Sequence, residues 1–302
     1  MKAIGVDIGG TGVKASIIDE KGRILYAEST ATILTNGRTG VLESVFSVID
    51  SLLKKEKSII GIGVGTAGRV NAITGEVVYA TANLPGWQGT KLAGILSKKY
   101  GFPCFIENDA NAALIGEVWQ GNKAAYPSIT MLTLGTGVGG ANMIDGKIVS
   151  GGHFQSGEWG HAVLVPNGRP CNCGMRGCTE QYLSGKALVR LANEQTNRQF
   201  NHGNEVFEGL AGDCEQLKAV VHTYIDLLAL AIYNISVTLD PHAVIIGGGV
   251  IDSRKHWWTL LIERLRDYHV QAEVFPAVLG NAAGMMGAAK LVFDGLKKRG
   301  EA

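Results

Sequence analysis

The run Ile8-Gly-Gly-Thr11-Gly-Val-Lys-Ala15-Ser-Ile-Ile18-Asp19 returns in altered form as Leu134-Gly-Thr-Gly137-Val-Gly-Gly-Ala141-Asn-Met-Ile144-Asp145. Each copy continues through a glycine into a short basic-apolar run, Arg23-Ile24-Leu25 in the first and Lys147-Ile148-Val149 in the second. Both read as strand, glycine-rich turn, strand, tight turn, strand, and Asp145-Gly146 is a strong two-residue hairpin signal. Two copies of one supersecondary unit constrain the chain to a duplicated architecture with a cleft between the halves. A length of 302 residues agrees, being long for one hydrophobic core.

Periodicity fills in the rest. Strands are predicted at 3–8, 13–19 and 23–30, a helix near 39–56 and a buried strand over Ile59–Val64. A glycine-rich loop, a helix around 89–100 and a strand at 103–107 follow, with a further helix starting after Asn108-Asp109. The second half reads as strands at 128–134, 140–145 and 147–151. Helices come next near 184–195 and 215–239, the latter stopped by Asp240-Pro241. A short strand at Val244–Ile246 and helices near 253–268 and 282–298 close the chain. Strands followed by helices in both halves predict an α/β fold. The expected division is 1–118, with the C-terminal helix of about 284–302, as a small domain and 119–283 as a larger one. The linker is expected near Trp119–Tyr126.

Composition narrows the function classes. Apolar residues are 46% and charged residues 18%, which suits a soluble globule and not a disordered chain. A net charge of +1 leaves no electrostatic footprint for nucleic acid or for an anionic membrane. The longest apolar stretch, Leu227–Leu239, is interrupted by Asn234 and Ser236 and reads as too short to span a bilayer. No secretory signal opens the sequence, and an odd cysteine number with metal-type spacing favours a reducing cytosol. The 42 glycines cluster after apolar runs, which points to backbone approaching a ligand.

Between Glu158 and Glu180 lies a candidate metal clasp: His161, then Cys171-Asn-Cys173-Gly-Met-Arg-Gly-Cys178. Three thiolates and an imidazole make a closed tetrahedral set of the kind that zinc fills. Chance thiols in a loop are the plain alternative. The Cys-x-Cys-x4-Cys spacing, with Gly174 and Gly177 to turn the backbone, argues against it. Cys104 and Cys214 stand alone and read as small buried hydrophobes.

Asp7-Ile-Gly-Gly-Thr11 and Gly135-Thr136-Gly137-Val-Gly-Gly140 are candidate phosphate cradles, since residues lacking Cβ atoms let successive N–H groups turn toward an anion. Neither has the Gly-Lys-Ser/Thr ending of a P-loop. Gly135–Gly140 matches G-x-G-x-x-G, but a hairpin and not a helix follows it, so the dinucleotide reading fails. Asp109, in Glu107-Asn108-Asp109-Ala-Asn111, is placed where a strand becomes a helix. It reads either as the helix N-cap or as a general base able to take a hydroxyl proton. Asn108 beside it could bond a substrate hydroxyl. Gly247-Gly-Gly249 after a buried strand would suit either an adenine ring lying flat or a turn leading into a helix.

Taken in order, these motifs resemble the ROK family of sugar kinases and sugar-responsive repressors, within the actin-like (hexokinase/Hsp70) ATPase fold. The carriers are Asp-Ile-Gly-Gly-Thr at 7–11, Glu-Asn-Asp-Ala-Asn at 107–111 and Leu-Gly-Thr-Gly-Val-Gly-Gly at 134–140. Glu-x-Gly-His at 158–161 and Cys-x-Cys-Gly-x-x-Gly-Cys-x-Glu at 171–180 complete the set. The resemblance implies that Asp109 is the catalytic base of an ATP-dependent transfer to the 6-hydroxyl of glucose or a related hexose. It implies that Gly68, Asn83, Asn108, Glu158, His161 and Glu180 bind the sugar. His161, Cys171, Cys173 and Cys178 would hold a structural Zn2+. Asp7 would sit near the Mg2+ of the nucleotide. Gly9, Gly10, Thr11, Lys14, Thr136 and Gly137 would face the ATP phosphates, with Gly248 by the adenosine. A cytoplasmic homodimer with no nucleic-acid or membrane partner completes the expectation.

Other hexoses remain open: N-acetylmannosamine, N-acetylglucosamine, fructose and a β-glucoside are carried by similar scaffolds. A repressor of the same family would need a DNA-binding module ahead of Asp7, where six residues leave no room. A filament-forming member of the fold is disfavoured by the sugar-binding carboxylates, and a redox thiol protein by Cys-x-Cys in place of Cys-x-x-Cys.

Overall fold

A computed structural model describes residues 1–121, 125–212 and 214–300. Positions 122–124, within the expected linker, lie outside the described residues. The elements run β1 Lys2–Ile8, β2 Gly12–Asp19, β3 Ile24–Ala31, α1 Arg38–Lys55, β4 Ile62–Thr66, β5 Arg69–Asn71, β6 Glu76–Tyr79, β7 Thr90–Lys91, α2 Leu92–Tyr100, β8 Cys104–Asn108 and α3 Asp109–Gln120. They continue as β9 Ile129–Leu134, β10 Val138–Ile144, β11 Lys147–Ile148, α4 Glu180–Leu183, α5 Gly185–Gln195, α6 Gly203–Glu208, α7 Glu215–Leu239, β12 Ala243–Gly247, α8 Trp258–Asp267, β13 Glu273–Pro276 and α9 Ala283–Arg299. The chain divides into two compact units. The first holds Met1–Ala125, Ser150–Gln155 and Leu279–Ala302, and the second holds Tyr126–Val149 and Ser156–Val278.

The duplication is topological. In the first unit the sheet order is β3-β2-β1-β4-β8, and in the second it is β11-β10-β9-β12-β13. In each, the first hairpin is antiparallel and the two outer strands add in parallel. The copies differ by one residue in the glycine turn, because Ile8 pairs with Val13 whereas Leu134 pairs with Val138. The expected overlay of Ala15 on Ala141 is therefore displaced by one position beyond the turn. The strand period of two explains why: Val13 and Val138 both face a core, and a one-residue slip would turn each outward.

Within the first unit, alternation along β1 sends Ile4, Val6 and Ile8 into a core shared with α1 (Val41, Val45, Val48, Ile49, Leu52). Each of those helix side chains contributes about 1.5–3 kcal/mol by leaving water. The other face, Ala3, Gly5 and Asp7, meets α9. A Cβ on Gly5 would fall 2.0 Å from the Met285 carbonyl oxygen, one on Gly63 of β4 1.7 Å from that of Ala288, and one on Gly287 1.7 Å from that of Ala112 in α3. Many glycines therefore serve backbone-to-backbone packing and not a ligand. In the second unit, α7 buries Leu217, Val220, Tyr224, Leu228 and Ile232 against α5, α6, α8 and the sheet residues Leu132, Leu134, Val244 and Ile246. This helix has 25 residues and is long and apolar enough to cross a membrane, yet half of its most apolar window is buried here, as in a core helix. It ends at Asp240 in the left-handed conformation (φ 45°), just before Pro241.

Several elements depart from the sequence reading. The small sheet β5-β6-β7 and the edge strand β13 were not expected, because strands of two to four residues give no usable alternation. The helix expected over 253–268 is instead a 3-10 stretch, Gly249–His256, broken at Trp257 before α8. Cys104 and Cys214 are half-buried, not fully buried.

Candidate active site

At the end of β1, Asp7 points toward α9, where a Cβ on Gly284 would lie 3.0 Å from its carboxyl carbon. Lys14 is its cross-strand partner in register and donates to Asn281 Oδ1 at 3.2 Å. Burial pushes the Asp7 carboxyl up to about 6; the nearby Asp109 carboxylate adds to the rise and Lys14 opposes it. Two acids thus approach each other at the ends of parallel strands, an arrangement that a divalent cation would relieve.

The turn Gly9–Thr11 is held from both sides. Gly9 N–H donates to the Gly12 carbonyl at 3.0 Å, and the Thr32 hydroxyl donates to the Gly9 carbonyl at 2.7 Å. Thr11 stands exposed at its tip. Gly10 runs beside Asn83, whose carbonyl oxygen would sit 3.3 Å from a Cβ there. The loop carrying Asn83 is anchored by the fully buried Trp87, which donates its indole N–H to Thr66 Oγ1 at 2.9 Å.

Asn108, not Asp109, caps α3. Its Oδ1 accepts from the N–H groups of Ala110 and Asn111 at 2.9 and 3.1 Å, and its Nδ2 donates to the Gly68 carbonyl at 2.8 Å. With both acceptor directions engaged, Asn108 can offer a ligand one N–H and nothing that accepts. Gly68 has φ +105°, and a side chain there would run to 2.5 Å from the Tyr79 carbonyl. Asp109 falls in the first helical turn, half-buried, its Oδ1 also accepting from Ala110 N–H at 2.9 Å. The cap and the candidate base are therefore two adjacent residues, where the sequence left one residue with two roles.

In the second unit the matching turn closes by Gly135 N–H donating to the Gly137 carbonyl at 2.9 Å, while Gly185 N–H donates to the Gly135 carbonyl at 2.8 Å. Thr136 is exposed at the tip. Glu180, the first residue of α4, accepts from Val138 N–H at 3.1 Å, and a Cβ on Gly137 would come 2.3 Å from its Oε2. Gly248 has φ +83° and lies against the backbone of Leu134, 2.4 Å from its carbonyl oxygen at the Cβ position. It leads the 3-10 stretch, as one of its two sequence readings proposed.

Glu158 and His161 flank a single 3-10 turn, with His161 N–H donating to the Glu158 carbonyl at 2.9 Å. That turn rests on β10: Trp159 donates its indole N–H to Asn142 Oδ1 at 2.9 Å, and a Cβ on Gly160 would fall 2.0 Å from the Val138 carbonyl oxygen. The donor atoms of His161, Cys171, Cys173 and Cys178 all lie within 4.8 Å of one another. His161 Nδ1 is 3.7 Å from Cys171 Sγ, and Cys173 Sγ is 3.6 Å from Cys178 Sγ. A tetrahedral zinc with metal–sulfur bonds of about 2.3 Å needs sulfur–sulfur edges of about 3.8 Å, so the donor set fits the ion. Burial pushes the Cys178 thiol up to about 12, with Cys173 and Cys171 adding to the rise, and a cation among them would reverse that.

Glu107 and Asn111, quoted in the motif but given no role from sequence, are both buried beneath the strand-to-helix joint. Strand alternation could have found Glu107, since it places Phe105 and Glu107 on the face opposite Ile106; Asn111 lies in α3, where alternation gives no signal.

Two sheets of one strand order, each with a glycine turn after its first strand, define a duplicated α/β protein of the actin-like ATPase fold. The chain belongs to the ROK family, whose model matches residues 3–294. It is similar to the glucokinase of Thermotoga maritima, at 32% identity over 97% of this chain and 97% of that protein. The N-acetyl-D-glucosamine kinase of Yersinia enterocolitica is 31% identical over 95% of this chain and 98% of its own length. Among solved structures, the ROK family glucokinase from Streptomyces griseus, in complex with glucose and AMPPNP, matches with a TM-score of 0.81 and 29% identity. That match covers 97% of this chain and all of the other.

Proposed function

We propose that this chain is an ATP-dependent hexose kinase that transfers the γ-phosphoryl group to the 6-hydroxyl of glucose or a closely related hexose. The observation that carries the reading is Asp109, held at a strand-to-helix joint beside Asp7 in a chain whose relatives include glucokinases over almost its whole length. Asp109 accepts the hydroxyl proton as the sugar oxygen attacks phosphorus, while the bond from the γ-phosphorus to the bridging oxygen breaks and ADP leaves. In such transfers positioning and charge stabilisation outweigh covalent help.

Backbone N–H groups of Gly10 and Gly137, with the hydroxyls of Thr11 and Thr136 and the Lys14 ammonium, are the donors for the phosphates; Gly9, whose N–H is taken by the Gly12 carbonyl, shapes the turn, and Gly248 is left for the adenosine. Asp7 would hold Mg2+, which when bound neutralises phosphate charge. Gly68, Asn83, Asn108, Glu158, His161 and Glu180 are assigned to the sugar. Asn108 acts there as a donor. His161, Cys171, Cys173 and Cys178 would hold Zn2+, which fixes the loop bearing His161 and Glu180. Because Nδ1 faces the thiols, the other ring nitrogen of His161 is left for a hydroxyl. A cytoplasmic setting is supported by the metal-type spacing of Cys171, Cys173 and Cys178, which suits a reducing compartment. A homodimer rests on the family resemblance and is checked by sedimentation.

The similarity to an N-acetylglucosamine kinase favours a second reading in which the sugar carries a 2-acetamido group; N-acetylmannosamine, fructose and β-glucosides are further alternatives. A panel of hexoses at fixed Mg-ATP, followed by ADP release, tests the reading. Glucose should give the highest kcat/KM. A higher value with N-acetylglucosamine or N-acetylmannosamine would transfer the assignment to that sugar.

A further inference from the structure

Asp109 stands on a joint that is stapled from beneath. Glu107, the residue before the cap, is 5% exposed, and so is Asn111, one turn into α3. Glu107 Oε1 accepts from the Asn108 backbone N–H at 2.8 Å and from Asn111 Nδ2 at 3.0 Å. These two bonds reach the chain on either side of Asp109, one before it and one after. In register with Glu107 on β4 is Gly65, where a Cβ would come 2.9 Å from that of Ala112. That glycine lets the first turn of α3 settle onto β4, where the same Cβ position would lie 3.6 Å from Asp109 Cα. Among the described residues, Asn111 Oδ1 is buried with no hydrogen-bond partner.

We propose that Glu107 and Asn111 are positioning residues for Asp109, a buried acid–amide pair that fixes the strand-to-helix joint on which the base stands. A carboxylic acid and a primary amide are complementary: the amide N–H donates to one acid oxygen, and the acid O–H donates to the amide oxygen. The structure shows the first limb and leaves open the acceptor that the second would use. Burial raises the Glu107 carboxyl from its ordinary range, which favours the neutral acid that has an O–H to give. An ionised carboxylate would instead leave the Asn111 oxygen orphaned, at the full cost of desolvating it. Both side chains are buried, and their effect on turnover passes through the direction of Asp109. The inference rests on the reading of Asp109 as the base.

The test compares Glu107→Gln, Glu107→Ala, Asn111→Ala and Asp109→Asn in one hexose-dependent ADP-release assay, with melting curves for each. Glutamine reproduces the neutral acid, accepting at one atom and donating at the other, so Glu107→Gln should keep kcat within about twofold of the wild type. Glu107→Ala and Asn111→Ala should lower kcat by roughly 10- to 100-fold, the usual cost of a misaimed catalytic group, while KM for sugar and for ATP changes less than about threefold. If Glu107→Ala does not fold, Asn111→Ala alone decides, since alanine is a strong helix former at that position. Unchanged kcat in Asn111→Ala, or a loss in Glu107→Gln as deep as in Glu107→Ala, would overturn the proposal. Failure of the underlying reading looks different, because Asp109→Asn would then itself keep its turnover.

Discussion

Asp109 and Asp7 are both acids at strand ends, and their surroundings separate their tasks. Asp109 is half-buried in the first turn of a helix whose N–H groups favour a negative charge. Replacing it by asparagine should lower kcat by about 10²–10⁴-fold with hexose affinity within a few-fold, read by ADP release and by calorimetric titration of sugar. Turnover within tenfold of the wild type would remove it from the base role. Asp7 is instead held at a pKa of about 6 by burial and by Asp109. Its folded pKa is raised, so the cost of ionising it is absent below its unfolded value of 3.8 and grows as pH climbs through 6. A rise of about two units corresponds to about 3 kcal/mol at full effect. Asp7→Asn should therefore raise the melting temperature of the ligand-free protein at pH 8 by several degrees, with the gain shrinking toward pH 5, while kcat falls. A gain independent of pH would contradict this. The motifs around both acids were legible in the sequence. The division of labour between Asn108 and Asp109 was not, because both are good caps and the end of β8 is set by its register with β4.

Elements are placed in the first unit by what is missing from their surfaces. α9 lies against β1, β4 and α3 through Gly5, Gly63, Gly116 and Gly287, none of which could carry a methyl group without meeting a backbone atom within 2.3 Å. The sequence showed a glycine excess and suggested ligand loops, and it could not show which glycines face a helix. Gly287→Ala should destabilise the protein by about 3 kcal/mol or more through overpacking, seen as a lower urea midpoint with an unchanged slope. A change under about 0.5 kcal/mol would mean that the helices can move apart freely. The cluster of one imidazole and three thiols was legible from spacing, and its donor atoms lie within 4.8 Å of one another. Cys173→Ser should abolish bound zinc by elemental analysis and raise the sugar KM about tenfold, because the loop holding His161 and Glu180 loses its tie. Full zinc content in that variant would contradict the ligand set.

For the whole molecule, the repeated run is the feature that reached furthest, since it gave two sheets of one strand order. It overshot by one residue, as a length difference inside a turn leaves the strand patterns on either side intact. The small third sheet and the edge strand β13 stayed hidden, being held by tertiary packing that short runs do not encode. The choice of hexose was the least legible, because it depends on a few pocket contacts that leave no periodic trace. The most direct measurement of the central claim is ADP release from Mg-ATP by the purified chain, with and without glucose, with the sugar product identified by mass spectrometry. The account predicts ADP and hexose 6-phosphate in equal amounts, and little ADP when sugar is left out. ADP formation that ignores sugar, or none with any hexose supplied, would contradict it.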